Sequence, residues 1–172
     1  MIVRNATIEE FDKVVDFYDN IIDDMQGSKY HPMWQKRIYP TLDFLKESIA
    51  NGQLYIQIVN GNIVGCMVMN NFGNGYDTVS WSIQLDDEFV NVIHALGISV
   101  KEQGKGYAKA LVQESVKIAK NNGARVIRLD VLAPNLPAHE LYKKCGFELR
   151  ETKDLFYEDT GWTQFMLYEL VL

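Results

Sequence analysis

The 172-residue sequence predicts an α/β (α+β) fold in which a mixed, mostly antiparallel central sheet is flanked by helices. Two apolar runs, 54–59 and 63–69, are joined by Asn60-Gly61, a dipeptide typical of a tight antiparallel hairpin. The clearest helical periodicity, over 106–121, lies between two further apolar runs, which is typical of a parallel crossover. Because no repeat or Pro/Gly/Ser-rich linker divides the sequence, we expect a single domain over residues 1–172.

Capping signals place two helices before the hairpin. Thr7 and Glu10 have the spacing of a capping box, and apolar residues at helical spacing follow them. Thr41 is a potential N-cap, and Gly52 is a potential stop for a second, shorter helix. The elements predicted for this half are a helix over about 8–24, a short helix between Thr41 and Gly52, and strands over 54–59, 63–69 and 76–85.

The second half contains the crossover and one more helix. Asn122-Gly123 is a stop signal for the helix over 106–121. Pro137 favours a new helix start, and Gly146-Phe147 would end that helix. The tail from Phe147 alternates in polarity, as a strand does. The remaining predicted strands are 90–100, 125–131 and 163–171.

Composition and charge exclude several classes of protein. Hydrophobic residues make up 47% of the chain, which suits a substantial core and not a disordered chain. The net charge of -6 gives no support for nucleic-acid binding, which needs a basic surface. Residues 1–90 hold six basic and thirteen acidic side chains (-7), whereas residues 91–172 hold eleven and ten (+1). Within 101–128, seven basic and two acidic residues give a local +5, which predicts an anion-binding segment.

Targeting and redox signals favour the cytoplasm. The N-terminus lacks the apolar core of a signal peptide, and the longest apolar runs are far shorter than the ~20 residues that cross a bilayer. Cys66 and Cys145 form no disulfide framework, and their spacing to His31, His94 and His139 fits no zinc pattern. We therefore expect a cytoplasmic protein with no membrane partner and no metal.

The segment Gln103-Gly104-Lys105-Gly106-Tyr107-Ala108 connects a predicted strand to the helix over 106–121. Its glycines allow close backbone approach to a ligand, and the free N–H groups and dipole of a helix start favour a phosphate. Lys101, Lys105 and Lys109 add positive charge. A phosphate-binding loop is therefore one interpretation, and a glycine-rich turn with solvated lysines is the other.

Two nucleotide-binding motifs fit this loop poorly. A Walker P-loop needs Ser or Thr after Gly-Lys and an earlier glycine, and Gly104-Lys105-Gly106 has neither. A dinucleotide fingerprint needs a small residue where Lys109 stands. Asp130, at the end of the next predicted strand, would suit a ribose hydroxyl. A dinucleotide-binding oxidoreductase therefore remains an alternative. A structural role for Asp130 is the favoured interpretation.

The same loop resembles the pyrophosphate loop of GNAT-superfamily N-acetyltransferases, Gln/Arg-x-x-Gly-x-Gly/Ala, with Gln103, Gly106 and Ala108 in the defining places. Upstream, Leu96-Gly97-Ile98 is similar to the Leu-Ala-Val strand end of that family. Downstream, residues 135–147 (Asn-Leu-Pro-Ala-His-Glu-Leu-Tyr-Lys-Lys-Cys-Gly-Phe) match its Asn-x-x-Ala-x-x-Leu-Tyr-x-x-x-Gly-Phe pattern. The resemblance is sharp over 90–150, and the order of elements is compatible with it over the whole chain.

The resemblance implies a GNAT-like acyl-CoA N-acyltransferase fold with acetyl-CoA as cosubstrate, bound in a V-shaped opening between strands 92–100 and 125–131. Backbone groups of Leu96, Gly97 and Ile98 would pair with the pantetheine arm and polarise the thioester carbonyl. Asn135 would hydrogen-bond the CoA chain. The amides that would hold the pyrophosphate belong to Gln103, Gly104, Lys105, Gly106, Tyr107 and Ala108.

The resemblance also implies direct attack of an amine on the thioester in a ternary complex. Tyr142, at the tyrosine position of the family and beside the cofactor, would donate a proton to the leaving thiolate; a core tyrosine fits the same position. His94 is the only titratable side chain in 90–100, where relatives often carry a carboxylate base. Three interpretations of His94 remain open. It could be the catalytic base, or it could be a buried histidine that shapes the cleft. A water relayed through a backbone carbonyl could also act as the base in its place. His139 is predicted to face solvent.

Acceptor recognition has weaker signals. Trp34 and Tyr39 lie where the variable helices of the family overhang the acceptor cleft, and Trp81 would form the opposite wall. The same aromatics could instead pack the loop against the sheet. The acidic N-terminal half suits an amine, so we expect N-acetylation of a primary amine of a small molecule or peptide, by a monomer or a homodimer. The alternative is a non-catalytic acyl-CoA-binding sensor or interaction module.

Overall fold

The computed structural model describes all 172 residues. Its strands are β1 (Ile2–Asn5), β2 (Leu54–Val59), β3 (Asn62–Asn70), β4 (Val90–Ile98), β5 (Val126–Leu132), β6 (Glu148–Tyr157) and β7 (Gly161–Val171). Its helices are α1 (Phe11–Asp24), α2 (Leu42–Ala50), α3 (Tyr107–Asn121) and α4 (Leu136–Lys144). The strands form one sheet in the order β1-β2-β3-β4-β5-β7-β6, and only β4 and β5 are parallel neighbours. The predicted mixed α/β fold is therefore confirmed.

The two faces of the sheet carry different helices. In β3, Cys66 and Val68 pack with the buried faces of α1 and α2, whereas Met67 and Met69 pack with α3. Successive side chains of a strand point to opposite faces, so β3 is buried from both sides. This three-layer arrangement explains why the run is almost continuously apolar. No helix is long and apolar enough to span a bilayer.

Local capping and turn signals in the N-terminal half are confirmed. The Glu10 carboxylate accepts a hydrogen bond from the Thr7 N–H at 3.0 Å, and the Thr41 hydroxyl accepts one from the Phe44 N–H at 3.0 Å. Asn60 and Gly61 have φ angles of 50° and 80° in the turn between β2 and β3. A two-residue turn with both φ angles positive matches the right-handed twist of its strands.

The strand predicted over 76–85 is wrong. Tyr76–Thr78 is a 3-10 turn, and the segment continues as an irregular loop. Val79 and Trp81 are buried because they pack on the sheet beneath them, and the Ser82 amide and hydroxyl donate to the Glu169 carboxylate. The alternation therefore reflects packing against the sheet rather than pairing within it. The sequence pattern does not predict strand β1, and it indicates β6 only through the alternating polarity of the tail from Phe147.

Candidate active site

Strands β4 and β5 separate along their length. Their ladder stops at Val92 and Arg128, although β4 runs on to Ile98 and β5 to Leu132. The edge of β4 that faces β5 therefore has no strand partner beyond Val92. An opening lies between the two strands, where the resemblance predicted one.

A bulge in β4 accompanies this separation. His94 lies opposite Val68 and Gly97 opposite Cys66, so two residues of β4 face one residue of β3. Ala95, in the bulge, has a φ of 48°, in the left-handed region that disfavours residues with a Cβ. The buried Tyr18 hydroxyl donates to the Ala95 carbonyl at 2.8 Å, which helps hold this conformation. Bulges bend and twist the strand that carries them, so this one directs the second half of β4 away from β5.

A cavity of about 320 Å³ lies at the opening. It brings together several residues that the sequence singled out, from four separate segments. They are Trp34, Tyr39, His94, Leu96, Asp130, Asn135 and Tyr142. These predicted site residues therefore lie together around one cavity, at the diverging ends of β4 and β5.

One wall of the cavity is aromatic. The Tyr39 ring stacks on Phe44 at a centroid distance of 6.0 Å, and Trp34 contacts Tyr39 at 6.1 Å. Trp81 does not line the cavity, so the prediction that it forms the opposite wall is wrong. It is buried and lies over the Arg128 guanidinium at 4.3 Å, a cation–π contact beneath the loop that was predicted as a strand.

The glycine loop lies outside the cavity, at the start of α3. Gly104 and Gly106 have φ angles of 77° and 84°, which explains why glycines occupy these positions. Gly106 is the N-cap, with no side-chain capping bond, and the first turn of α3 has no acidic residue. Lys105 is exposed and pairs with Glu102 at 2.9 Å. Free amide donors at a helix start with lysines nearby fit a phosphate.

Tyr142 reaches the cavity from α4. Its side chain is 6% exposed, and its ring packs edge-on against Phe147 at 5.5 Å. Its hydroxyl forms no hydrogen bond with the protein. Burial raises the pKa of Tyr142, and the nearby Asp130 adds to this effect, so the phenol is protonated at neutral pH.

His94 is tied to the loop that follows β3. Its Nε2–H donates to the Asn70 side-chain oxygen at 2.9 Å and to the Phe72 carbonyl at 2.8 Å. Both partners are acceptors, so the proton is assigned to Nε2. Burial lowers the pKa of His94 to about 4, and the hydrogen bond to Phe72 opposes that shift. The imidazole is therefore neutral near pH 7, with Nδ1 unprotonated.

Two carboxyl groups, those of Asp130 and Asp159, also line the cavity. The hydroxyls of Tyr76 and Tyr157 both donate to Oδ2 of Asp130 at 2.9 Å. Burial raises the pKa of Asp130, and these two hydrogen bonds counteract it. Asp159, in the turn between β6 and β7, also lines the cavity. Asp159 and Phe44 were missed from the sequence because neither lies in a motif and both reach the site only through tertiary packing.

The prediction that His139 faces solvent is wrong. It is 4% exposed, its Nε2 lies 3.1 and 3.0 Å from the carbonyls of Leu132 and Ala133, and its Nδ1 accepts from the Tyr168 hydroxyl at 2.9 Å. Residue 139 precedes Tyr142 by three positions, so both lie on the same helix face. His139 therefore fixes α4 to the end of β5 and, with it, the position of Tyr142.

Comparison with known proteins agrees with this geometry. A model of the acetyltransferase (GNAT) family matches residues 16–147. The chain belongs to the GNAT acetyltransferase family. The dinucleotide-binding alternative gains no support from Asp130, whose Oδ2 accepts hydrogen bonds from two tyrosine hydroxyls.

Relatives in two organisms carry acetyltransferase names. The chain is 26% identical over 149 residues to an uncharacterized N-acetyltransferase of Methanocaldococcus jannaschii, covering 87% of this chain and 61% of that protein. It is 28% identical over 163 residues to an N-alpha-acetyltransferase of Sulfurisphaera tokodaii, covering 91% and 86%. The fold is also that of yncA from Salmonella typhimurium, solved with its cofactor acetyl-CoA, at a TM-score of 0.72, 16% identity and coverage of 100% and 94%.

Proposed function

We propose that this protein is an N-acetyltransferase that moves the acetyl group of acetyl-CoA to a primary amine of a small molecule or peptide, by direct attack in a ternary complex. Family membership supports acetyl transfer. The name of the Sulfurisphaera relative supports an amine acceptor, and the ligand of the Salmonella structure supports acetyl-CoA. The observation that carries the proposal is the cavity at the opening between β4 and β5, because Tyr142 and the unpaired edge of β4 meet there.

The unpaired edge of β4 suits the pantetheine arm of acetyl-CoA. Backbone N–H and C=O groups need partners, and those of Leu96, Gly97 and Ile98 that face the opening have no strand to supply them. An extended amide-containing chain can pair with such an edge as a strand does. Asn135, which lines the cavity, would hydrogen-bond the same chain. Bound acetyl-CoA supplies the activated thioester.

The loop 103–108 would hold the pyrophosphate. Gly104 and Gly106 have positive φ angles, and the amides at the start of α3 lack acceptors within the helix. The local excess of basic residues over 101–128 provides a favourable potential for the negatively charged cofactor. We therefore propose that this loop and the start of α3 are the anion-binding part of the segment 101–128.

Tyr142 would donate the proton that the departing thiolate needs. A general acid must be protonated at the working pH and must reach the leaving atom. Burial keeps the phenol protonated, and its hydroxyl, which has no protein partner, faces the cavity. Both properties support Tyr142 as the general acid of the proposed reaction.

His94 is the candidate for the base, and its environment sets a condition on that role. With its pKa lowered to about 4, a His94 base would give the rate profile an acidic limb near pH 4 rather than near neutrality. Only Nδ1 has a free lone pair, because Nε2 donates to Asn70 and Phe72. A water relayed through a backbone carbonyl is the competing route, and it would leave no His94-dependent limb.

The proposal is tested by binding and turnover. Acetyl-CoA and CoA should bind, whereas NAD should not. Thiol release is then measured with a panel of small amines, peptides and aminoglycosides. Amine-dependent release with an acetylated product supports the proposal. Cofactor binding with no acceptor-dependent turnover would favour the non-catalytic sensor instead.

A further inference from the structure

The cavity contains two acidic side chains and no basic partner for them. Asp130 and Asp159 both line it, and none of its lining residues is Lys or Arg. Neither carboxylate takes part in any of the eight ion pairs of the structure. The imidazole of His94, which also lines the cavity, is neutral near pH 7. The wall of the cavity is therefore acidic and uncompensated.

Elsewhere in the molecule a buried carboxylate is fully paired. Glu169 has no exposed surface, and its oxygens lie 3.1 Å from Arg128 Nε and 3.3 Å from Arg150 Nε. Ser82 donates two further hydrogen bonds to it. Buried charges normally carry such partners, because an unpaired one costs several kcal/mol. The contrast points to a partner for Asp130 and Asp159 that is not part of the chain.

Both carboxyl groups retain free hydrogen-bonding capacity toward the cavity. The two tyrosine hydroxyls occupy only Oδ2 of Asp130, and Oδ1 accepts no hydrogen bond from the protein. Asp159 is 8% exposed, and its carboxylate has no side-chain partner; only the backbone N–H groups of Asp159 and Thr160 favour its charged form. Burial raises the pKa of both groups, as expected for carboxylates that lack a cation.

The rest of the wall suits an apolar body that carries a cation. Trp34, Tyr39 and Phe44 form the aromatic series described above, and Tyr157 and Phe165 line the cavity as well. Gln35 Nε2 donates to the Asp159 carbonyl at 2.7 Å, which ties the segment of Trp34 to the turn of Asp159. Aromatic faces attract ammonium groups as well as apolar surface. The carboxylates and the aromatic wall therefore belong to one enclosure.

We propose that this cavity selects cationic amines that bear no carboxylate beside the amino group, with Asp130 and Asp159 as the anionic partners of the ammonium and the aromatic wall as the seat of its apolar body. Free α-amino acids are excluded, because their carboxylate would meet two carboxylates with no arginine or lysine to receive it. The inference rests on the proposed function and names the class of its acceptor.

Calorimetric binding to the CoA-loaded protein tests the selectivity without relying on turnover. The probes are 2-phenylethylamine, phenylalaninamide and phenylalanine, at a pH where all three amino groups are protonated. Phenylalaninamide has nearly the size of phenylalanine and keeps its ammonium group, but it has no negatively charged carboxylate. We expect both amines without a carboxylate to bind at least about tenfold more tightly than phenylalanine, because like-charge contacts oppose the latter. Equal affinity for phenylalanine and its amide would overturn the inference.

Asp159→Asn identifies the group responsible, with Glu158→Gln as the matched control, because Glu158 is an exposed neighbour that does not line the cavity. Asp159→Asn should weaken the binding of 2-phenylethylamine about tenfold and reduce the ratio of its affinity to that of phenylalanine. Glu158→Gln should change neither this affinity nor this ratio. An unaltered preference in a folded Asp159→Asn protein would contradict the assignment. If that variant does not fold, the wild-type comparison still decides the inference. Failure of the proposed function is a separate result: no acetyl transfer to any amine.

Discussion

Tyr142→Phe separates a catalytic role for this tyrosine from a structural one. The substitution removes one oxygen atom and leaves the buried ring on Phe147 in place. Because the hydroxyl has no hydrogen-bond partner in the protein, its loss leaves no buried group unpaired. The free energy of unfolding should therefore change by less than about 1 kcal/mol.

The effect on turnover should be much larger. General acid catalysis contributes about 10²- to 10⁴-fold, so kcat for acetyl transfer should fall by a factor in that range. Affinity for acetyl-CoA, measured by calorimetry, should stay within about twofold, since the removed oxygen is one of many contacts to a large cofactor. The assay is thiol release with a saturating amine, together with urea unfolding of both proteins.

Tyr168→Phe is the matched contrast. Tyr168 is also buried, but its hydroxyl donates to Nδ1 of His139 at 2.9 Å. Its removal should cost about 1–3 kcal/mol of stability, because a buried acceptor loses its partner. Turnover should fall less than in Tyr142→Phe. An unchanged kcat in Tyr142→Phe, or a loss explained by unfolding, would refute Tyr142 as the acid.

Three further substitutions probe the rest of the site. Burial lowers the pKa of His94 to about 4, against about 6.5 in the unfolded chain, so between these values the unfolded state binds one more proton than the folded state. The free energy of unfolding therefore falls as the pH drops from about 6.5 to about 4. His94→Asn should remove about 3 kcal/mol of this fall, as measured by urea unfolding at stepped pH. Gly97→Ala would place a Cβ 2.9 Å from Ile21 Cδ1 and should cost about 1–3 kcal/mol in thermal unfolding, most of it recovered by adding Ile21→Val. Gly106→Ala should introduce backbone strain of about 1–2 kcal/mol in the loop and so weaken the binding of acetyl-CoA. Gly123 has a similar φ at the other end of α3. Gly123→Ala should therefore lower the stability of the protein by a similar amount and leave its affinity for acetyl-CoA, measured by calorimetry, unchanged.

Each of these has a clear opposing result. A pH dependence of stability that is identical in wild type and His94→Asn would contradict a lowered pKa for this histidine. Failure of Ile21→Val to restore Gly97→Ala would show that the clash lies elsewhere. Equal loss of cofactor affinity in Gly106→Ala and Gly123→Ala would mean that general destabilisation, and not the loop, governs binding.

Local signals in the sequence were sufficient where one short segment sets the geometry. Thr41 caps its helix and Asn60-Gly61 turns its hairpin because each outcome depends on a few adjacent residues. The motif residues Leu96, Asn135 and Tyr142 were correctly grouped because a family pattern already encodes their three-dimensional proximity. The position of the cavity could therefore be predicted.

The misses occurred where long-range contacts decide. The alternation of apolar and polar residues over 76–85 reflects which side chains are buried. Burial alone does not distinguish a strand from a loop that packs on the sheet. The inward face of α4 was misjudged by one position, so His139 was expected in solvent although it fixes the helix to β5. Asp159 could not be found at all, because only the pairing of β6 with β7 brings its turn to the cavity.

The most direct test is mass spectrometry of a reaction that contains the protein, acetyl-CoA and 2-phenylethylamine. Proposed transfer in a ternary complex predicts N-acetyl-2-phenylethylamine formed in equal amount to released CoA, with a rate that saturates in both substrates and collapses in Tyr142→Phe. CoA release without acetylated amine, or product formation that Tyr142→Phe does not slow, would contradict it.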